Sequence, residues 1–253
     1  MAVLGVPVAA PVPIRATTFP RHVAAHFPRN DPERVSAVVG ASHGNLDVVR
    51  QLVTEQPALA KSAWDWGFGD WEAPLGAASH TGRHEIAELL IAHGAQPNVF
   101  SAAMMGDVDT VRAFLTADPT LIRMPGPHGI SLLAHARVGG AEAQRVLDYL
   151  TDLGAEDAAP AFAGDATVEA RYGGRYRFDV DPVTEIGVAV RNGFLLVGAG
   201  EQPNSRVREV EADVFHPAGA PAVRLRFDVV DGQARSLTIL DGPLTVTGTR
   251  VTP

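Results

Sequence analysis

Residues 64–72, Trp64-Asp65-Trp66-Gly67-Phe68-Gly69-Asp70-Trp71-Glu72, hold every tryptophan of the chain, one phenylalanine and three carboxylates. The two glycines permit tight backbone bends, so a loop of this composition can wall a pocket with rings and set carboxylates at its rim. Such a loop also suits a simple cap over a core, because indoles are mostly buried, and the residues alone leave both readings open. The chemistry available is proton transfer. A carboxylate or neutral imidazole removes a proton alpha to a carbonyl, an acid protonates a departing hydroxyl, and each positioned group typically contributes ~10²–10⁴-fold.

Other reactive patterns are weaker. Gly40-Ala41-Ser42-His43-Gly44 matches a nucleophile string, but that chemistry needs a strand before the serine, and a helical pattern precedes it here. The pairs His22/His26 and His80/His84 have i,i+4 spacing, yet neither encloses the glutamate of a zinc helix, and Gly82 interrupts the second. No metal or cofactor is therefore expected. With no Cys, disulfides, iron–sulfur ligation and thiol catalysis are excluded. A formal charge of -8 argues against nucleic acid or anionic membrane as partner. Residues 1–32 are expected to be a leader whose apolar stretch Met1 to Ile14, broken by Pro7, Pro11 and Pro13 and without a basic residue before Arg15, reads neither as a cleaved signal nor as a span, so a cytoplasmic location is expected.

The elements that must position these residues fall into two halves. Over residues 33–156, a small-residue helix ending at a glycine is followed four times by an apolar helix, with turn glycines Gly44, Gly82, Gly106 and Gly139. Eight places beyond each stands Leu52, Leu90, Phe114 or Leu147. This resembles the ankyrin repeat, best in the second copy, where Pro74-Leu75, Ala77-Ala78, Gly82, Ile86, Leu89-Leu90 and Gly94-Ala95 stand at matching offsets. Spacings of 38, 24 and 33 between the glycines imply an insert in the first interval and a lost hairpin finger in the second.

Residues 165–253 change to short alternating stretches such as 175–178, 186–190, 194–197, 222–227 and 236–239, with Asn192-Gly193 and Asp231-Gly232 as hairpin signals. Seven or eight antiparallel strands, in a small barrel or strongly curved sheet, are expected. Tyr172-Gly173-Gly174-Arg175-Tyr176 and Asp213-Val214-Phe215-His216-Pro217 are similar to the lipocalin-like accessory domain that trails some bacterial serine hydrolases. The fold class is thus α+β, an ankyrin-like stack followed by a β domain, joined by a linker over 154–164.

The ankyrin resemblance implies that the residues before each turn glycine face the concave side: Ser42 and His43, His80 and Thr81, Met104 and Met105, Arg137 and Val138. On that geometry the insert enters the same face, and Gly126-Pro127-His128-Gly129 adds a histidine on a rigid turn. Asp70 is then the expected base, its pKa raised by desolvation, with His80 or His128 as acid and Tyr176 as donor to an enolate oxygen. Trp64, Trp66, Phe68, Trp71 and Met104 are the expected apolar substrate surface, under a lipocalin-like cup. The alternative for both histidines is local bonding to loop carbonyls.

Three functions remain open: a protein-interaction module working through the repeat face, a carrier of an apolar metabolite, and a cofactor-free enzyme. The Ala-rich, Arg-biased style is similar to small tailoring proteins of actinomycete natural-product pathways, macrocyclases of the alchivemycin type among them. That resemblance implies dehydration followed by Michael-type cyclisation of an apolar, polyketide-type substrate.

Overall fold

A computed structural model describes residues 28–157, 166–180, 184–199, 203 and 205–251. His22, His26, most of the leader and most of the linker lie outside the described residues. Helices pair as hairpins: α1 (Pro32–Ala41) with α2 (Leu46–Glu55), α3 (Pro74–His80) with α4 (His84–Ala92), α5 (Val99–Met104) with α6 (Val108–Ala117), and α7 (Leu132–Val138) with α8 (Gln144–Asp152). Asp31, Asn45, Asp107 and Ser131 each accept a hydrogen bond from a backbone N–H two or three residues on, and Asn98 with Ser101 forms a capping box.

Helices this short do not hold alone in water. Stacking supplies the missing burial: α1, α3, α5 and α7 are successive neighbours in one row, where Ala77, Ala78, Ala102, Ala103 and Ala136 let their backbones approach. The stack has two apolar clusters, one around Val38, Val49, Leu75 and Leu90, the other around Val99, Val111, Leu132 and Leu150.

Eight antiparallel strands follow: β3 (Gly174–Phe178), β4 (Thr184–Arg191), β5 (Phe194–Ala199), β6 (Ser205–Glu211), β7 (Val214–Pro217), β8 (Arg224–Val230), β9 (Gln233–Asp241) and β10 (Leu244–Val251). They close into a barrel in chain order, with β10 beside both β9 and β3. At Asn192-Gly193 (φ +53°, +76°) and Asp231-Gly232 (φ +53°, +80°) both central residues are left-handed, the turn whose twist matches that of the flanking strands.

The barrel is not a cup. Tyr176, Phe178, Leu195, Phe215, Leu225, Phe227 and Leu237 fill it, as eight strands leave room for little more than side chains. Helix α9 (Ala166–Tyr172) covers one end, where Tyr172 stacks its ring 5.3 Å from Phe215 and 4.8 Å from Phe227. The insert also packs on the barrel. It is a hairpin of β1 (Trp64–Asp65) and β2 (Trp71–Glu72), and its tip, Phe68, packs against the barrel core near Ala220. A ring expected to line a substrate pocket therefore joins the stack to the barrel.

Two glycines separate backbone strain from packing. Gly82 (φ +67°) has the Val138 carbonyl oxygen 2.3 Å from where a Cβ would stand, whereas Gly140 (φ +65°) has open space there. Gly140→Ala is expected to cost about 1 kcal/mol, the left-handed penalty, and Gly82→Ala about 1–3 kcal/mol more for displacing the end of α7 in the fourth repeat, which touches it. Thermal melts of both variants check this, and equal shifts would mean that the end of α7 yields freely.

Candidate functional site

The hairpin register decides which insert residues face inward. Trp64 is opposite Glu72 and Asp65 is opposite Trp71, so each pair shares one face of the ribbon. Glu72 has no exposure, while Trp71 is 61% exposed. The sequence expectation of rings inside and carboxylates at the rim is thus reversed at this pair. A two-residue strand obeys period two whatever the hydrophobicity of its members, and tertiary partners decided which face went in.

The partners of Glu72 are three imidazoles. His80, the last residue of α3, places Nε2 2.8 Å from Oε1, and His128 places Nε2 3.3 Å from the same oxygen. His43, just beyond α1, places Nε2 3.5 Å from Oε2, which also accepts the Trp66 indole N–H at 2.8 Å. The rings of His43 and His80 lie 5.0 Å apart, and those of His80 and His128 5.4 Å apart. The expected convergence of His80 and His128 is present. Glu72 and His43 are the members that sequence reasoning left without a role, and the one legible signal was the place of His43 before a turn glycine on the same face as His80.

Asp70 stands behind His128. Its Oδ1 accepts the His128 backbone N–H at 2.9 Å, and its Oδ2 faces Nδ1 of the same residue at 2.8 Å and accepts the Ser205 hydroxyl at 3.0 Å. These bonds hold His128 at φ +57°, a left-handed backbone unusual for a side chain of this kind, and tie the hairpin to the first residue of β6. Both Asp70 oxygens are occupied and turned from solvent, an arrangement that positions the His128 imidazole. The nitrogens away from Glu72 have further partners: His43 Nδ1 lies 3.1 Å from the carbonyl oxygens of both Val39 and Gly40.

Burial would raise the Glu72 carboxyl, but hydrogen bonds and charge from His128 and His80 outweigh it and hold the group at about 2. Burial would lower His128, yet its bonds to Asp70 and Glu72 push it up to about 9. Asp70 is likewise opposed by burial and is brought below its ordinary value by His128, with Ser205 helping. This corrects the expectation of a raised Asp70. His43 is lowered by burial and by the neighbouring imidazoles against the pull of Glu72. His135, buried 6.4 Å from the His80 ring, is pushed down to about 4 by burial, and its Nε2 has no partner among the described residues.

A cleft of about 300 Å³ opens above the cluster. Trp66, Ile130, His43, His80 and His128 form its repeat side. The outer wall of the barrel forms the other side through Phe194, Leu196 and Arg206, with the Arg206 guanidinium 3.9 Å over the Phe194 ring. Leu195 and Val197 point into the barrel, so the alternation along β5 turns Phe194 and Leu196 outward to the cleft.

Of the expected substrate surface only Trp66 lines this space. Trp64 packs on the repeat core, Met104 is fully buried within it, Phe68 packs on the barrel and Trp71 faces solvent. Tyr176 is also corrected: it is wholly buried in the barrel and donates its hydroxyl to the Tyr172 carbonyl at 2.7 Å, away from the cleft. Ser42 is no nucleophile, since its buried hydroxyl donates to the Val38 carbonyl at 2.7 Å. His84 bonds to Gly139 and Glu142, remote from the cluster. The residues able to hold a metal ion are His43, Glu72, His80 and His128, whose donor atoms all lie within 4.8 Å of one another.

The pairings set the signs of a pH profile. The raised pKa of His128 contributes stability that is complete below about 6.5 and is lost as pH rises through about 9. His135 and His43 act oppositely, contributing above about 6.5 and losing that contribution as pH falls. Glu72 and Asp70, both lowered, add stability above their unfolded values and lose it in acid. In chelator-containing buffer the melting temperature is expected to peak near pH 6.5, and His128→Asn to remove the decline between there and pH 9. A variant profile parallel to wild type over that span would contradict the pairing.

Residues 70–102 match the family model of the ankyrin repeat. The matched span runs from Asp70 through α3 and α4 to Ala102 in α5, so it carries Asp70, Glu72 and His80, while His43, His128 and the barrel wall lie outside it. No curated protein matches the chain. The chain thus joins an ankyrin-repeat match to a closed eight-stranded barrel, with the imidazole–carboxylate cluster at their junction.

Proposed function

We propose that this protein is an enzyme of the lyase and cyclase type. It eliminates water from a β-hydroxy carbonyl group on a largely apolar, polyketide-type molecule and then closes a ring by conjugate addition. The observation that carries the reading is the set of three imidazoles converging on one buried carboxylate at the floor of a cleft with apolar walls.

Elimination moves a proton from the α carbon, builds negative charge on the carbonyl oxygen and sends the β-hydroxyl away as water once it gains a proton. Ring closure then adds an X–H group of the same molecule across the new double bond: X bonds to the β carbon, its X–H bond breaks, and a proton is returned to the α carbon. The cluster supplies what this sequence lacks in bulk water: hydrogen-bond donors beside the enolate oxygen and ionisable groups that are already oriented. Trp66, Phe194 and Leu196 offer surfaces that fold an apolar chain upon itself, so that part of its ordering cost is met on binding.

An interaction module would offer the residues before the repeat turns to a partner. Here His43 and His80 are engaged with Glu72 and faced by β5 and β6, which favours a small guest over a protein. A carrier needs the walls alone and gives no use to a buried imidazole–carboxylate cluster.

The test is incubation with a panel of β-hydroxyacyl thioesters bearing apolar chains, followed by mass loss of one water and absorbance of the new conjugated double bond. Glu72→Gln and His80→Ala are expected to lower turnover by ~10²-fold or more while the fold is retained, and Trp71→Ser, on the solvent side of the hairpin, to leave it unchanged. Full turnover in both cluster variants would remove the cluster from the reaction.

A further inference from the structure

We infer that His43, Glu72, His80 and His128 hold one divalent transition-metal ion at the floor of the cleft. Three independent features of the cluster converge on this.

The first is ring orientation. His128 turns Nδ1 to the Asp70 carboxylate, and His43 turns Nδ1 to the carbonyl oxygens of Val39 and Gly40. Carboxylate and carbonyl oxygens only accept, so in both residues Nδ1 carries a hydrogen and Nε2 is the nitrogen left on the Glu72 side. Each of these Nε2 atoms lies within 3.5 Å of an oxygen of Glu72. A nitrogen and a carboxylate oxygen this close need a proton or a cation between them, and a single metal ion can serve all four residues at once. A carboxylate or main-chain oxygen behind each inward-facing imidazole is also the usual support of a histidine ligand.

Charge is the second. Two carboxylates, Asp70 and Glu72, are buried within one hydrogen-bonded group, and no lysine or arginine forms an ion pair with either among the described residues. A single proton shared with His128 leaves one negative charge in a poorly solvated place, whereas a dication balances both.

Donor type is the third. Three imidazole nitrogens and one carboxylate suit Zn²⁺, Fe²⁺ and their first-row neighbours, while Mg²⁺ and Ca²⁺ prefer oxygen cages. Glu72 lies beneath and the three imidazoles line the cavity, so an ion held among them borders the space offered to a guest. The Trp66 N–H on Oε2 leaves Oε1 as the oxygen shared by His80 and His128. For catalysis this rests on the lyase reading, where the ion supplies the positive charge beside the carbonyl oxygen. Binding itself needs no substrate.

The experiment takes the full chain, stripped with chelator, and titrates it with Co²⁺ and Zn²⁺ under isothermal calorimetry and visible absorption. One equivalent is expected to bind, with cobalt bands that Zn²⁺ displaces and excess Mg²⁺ does not. His43→Gln, at the partly exposed rim, is expected to weaken binding at least ~10-fold, and Asp70→Asn, behind a ligand, by about 10- to 100-fold. His84→Gln, remote from the cluster, should leave affinity unaltered. Circular dichroism confirms the fold of each variant. Absence of stoichiometric binding to wild type, or wild-type affinity retained in both His43→Gln and Asp70→Asn, would overturn the site. Because the readout contains no substrate, loss of the metal site and loss of the lyase reading are separate outcomes.

Discussion

A carboxylate removed from water costs on the order of several kcal/mol unless it is paired and hydrogen-bonded, and Glu72 is removed completely. Everything around it answers that cost. The indole N–H of Trp66, the Nε2 atoms of His80 and His128, and more distantly that of His43 converge on its two oxygens from the hairpin, α3, the turn before α7 and the end of α1. The end of α1, the contiguous hairpin and α3, and the turn before α7 must therefore be placed together for one side chain. Losing one partner leaves the rest with an incompletely satisfied buried charge, which makes the cluster an all-or-none arrangement.

The same requirement joins the two halves of the molecule. Asp70 orients His128 and reaches Ser205 on β6, and two residues earlier in the hairpin Phe68 packs on the barrel. Hairpin, His128 turn and barrel wall are thus fixed by contacts that also shape the cleft. The barrel's contribution is its outer surface, since its interior is occupied by aromatic and branched side chains. A lipocalin-style interior site is replaced by a junction site in which one wall is a sheet exterior and the floor is a repeat surface.

Repeat stacks suit this use because each hairpin carries its inner helix and turn to a repeated position, so residues at equivalent offsets become neighbours. His43 and His80 approximate such a pair, one place out of step: they stand one place and two places before turn glycines and their rings lie 5.0 Å apart. An enlarged first interval then introduces carboxylates at a position where a regular repeat has a short finger. The result needs no departure from repeat packing, only one insertion and a partner domain to cover it.

How much was legible in the chain follows from the range of the forces involved. Local chemistry determined the caps at Asn45 and Asp107, the left-handed hairpins at Asn192-Gly193 and Asp231-Gly232, the helix-to-strand change and the fourfold period, because these depend on neighbours within a few residues. It also marked residues 64–72 as the informative segment, and His80 and His128 as companions. The tertiary structure alone decided that Glu72 turns inward and Trp71 outward, that Asp70 is saturated, that Phe68 serves the barrel and that Tyr176 lies within it. A strand two residues long has no hydrophobic pattern to choose its face, and a carboxylate acquires its protonation state only from groups brought to it by the fold.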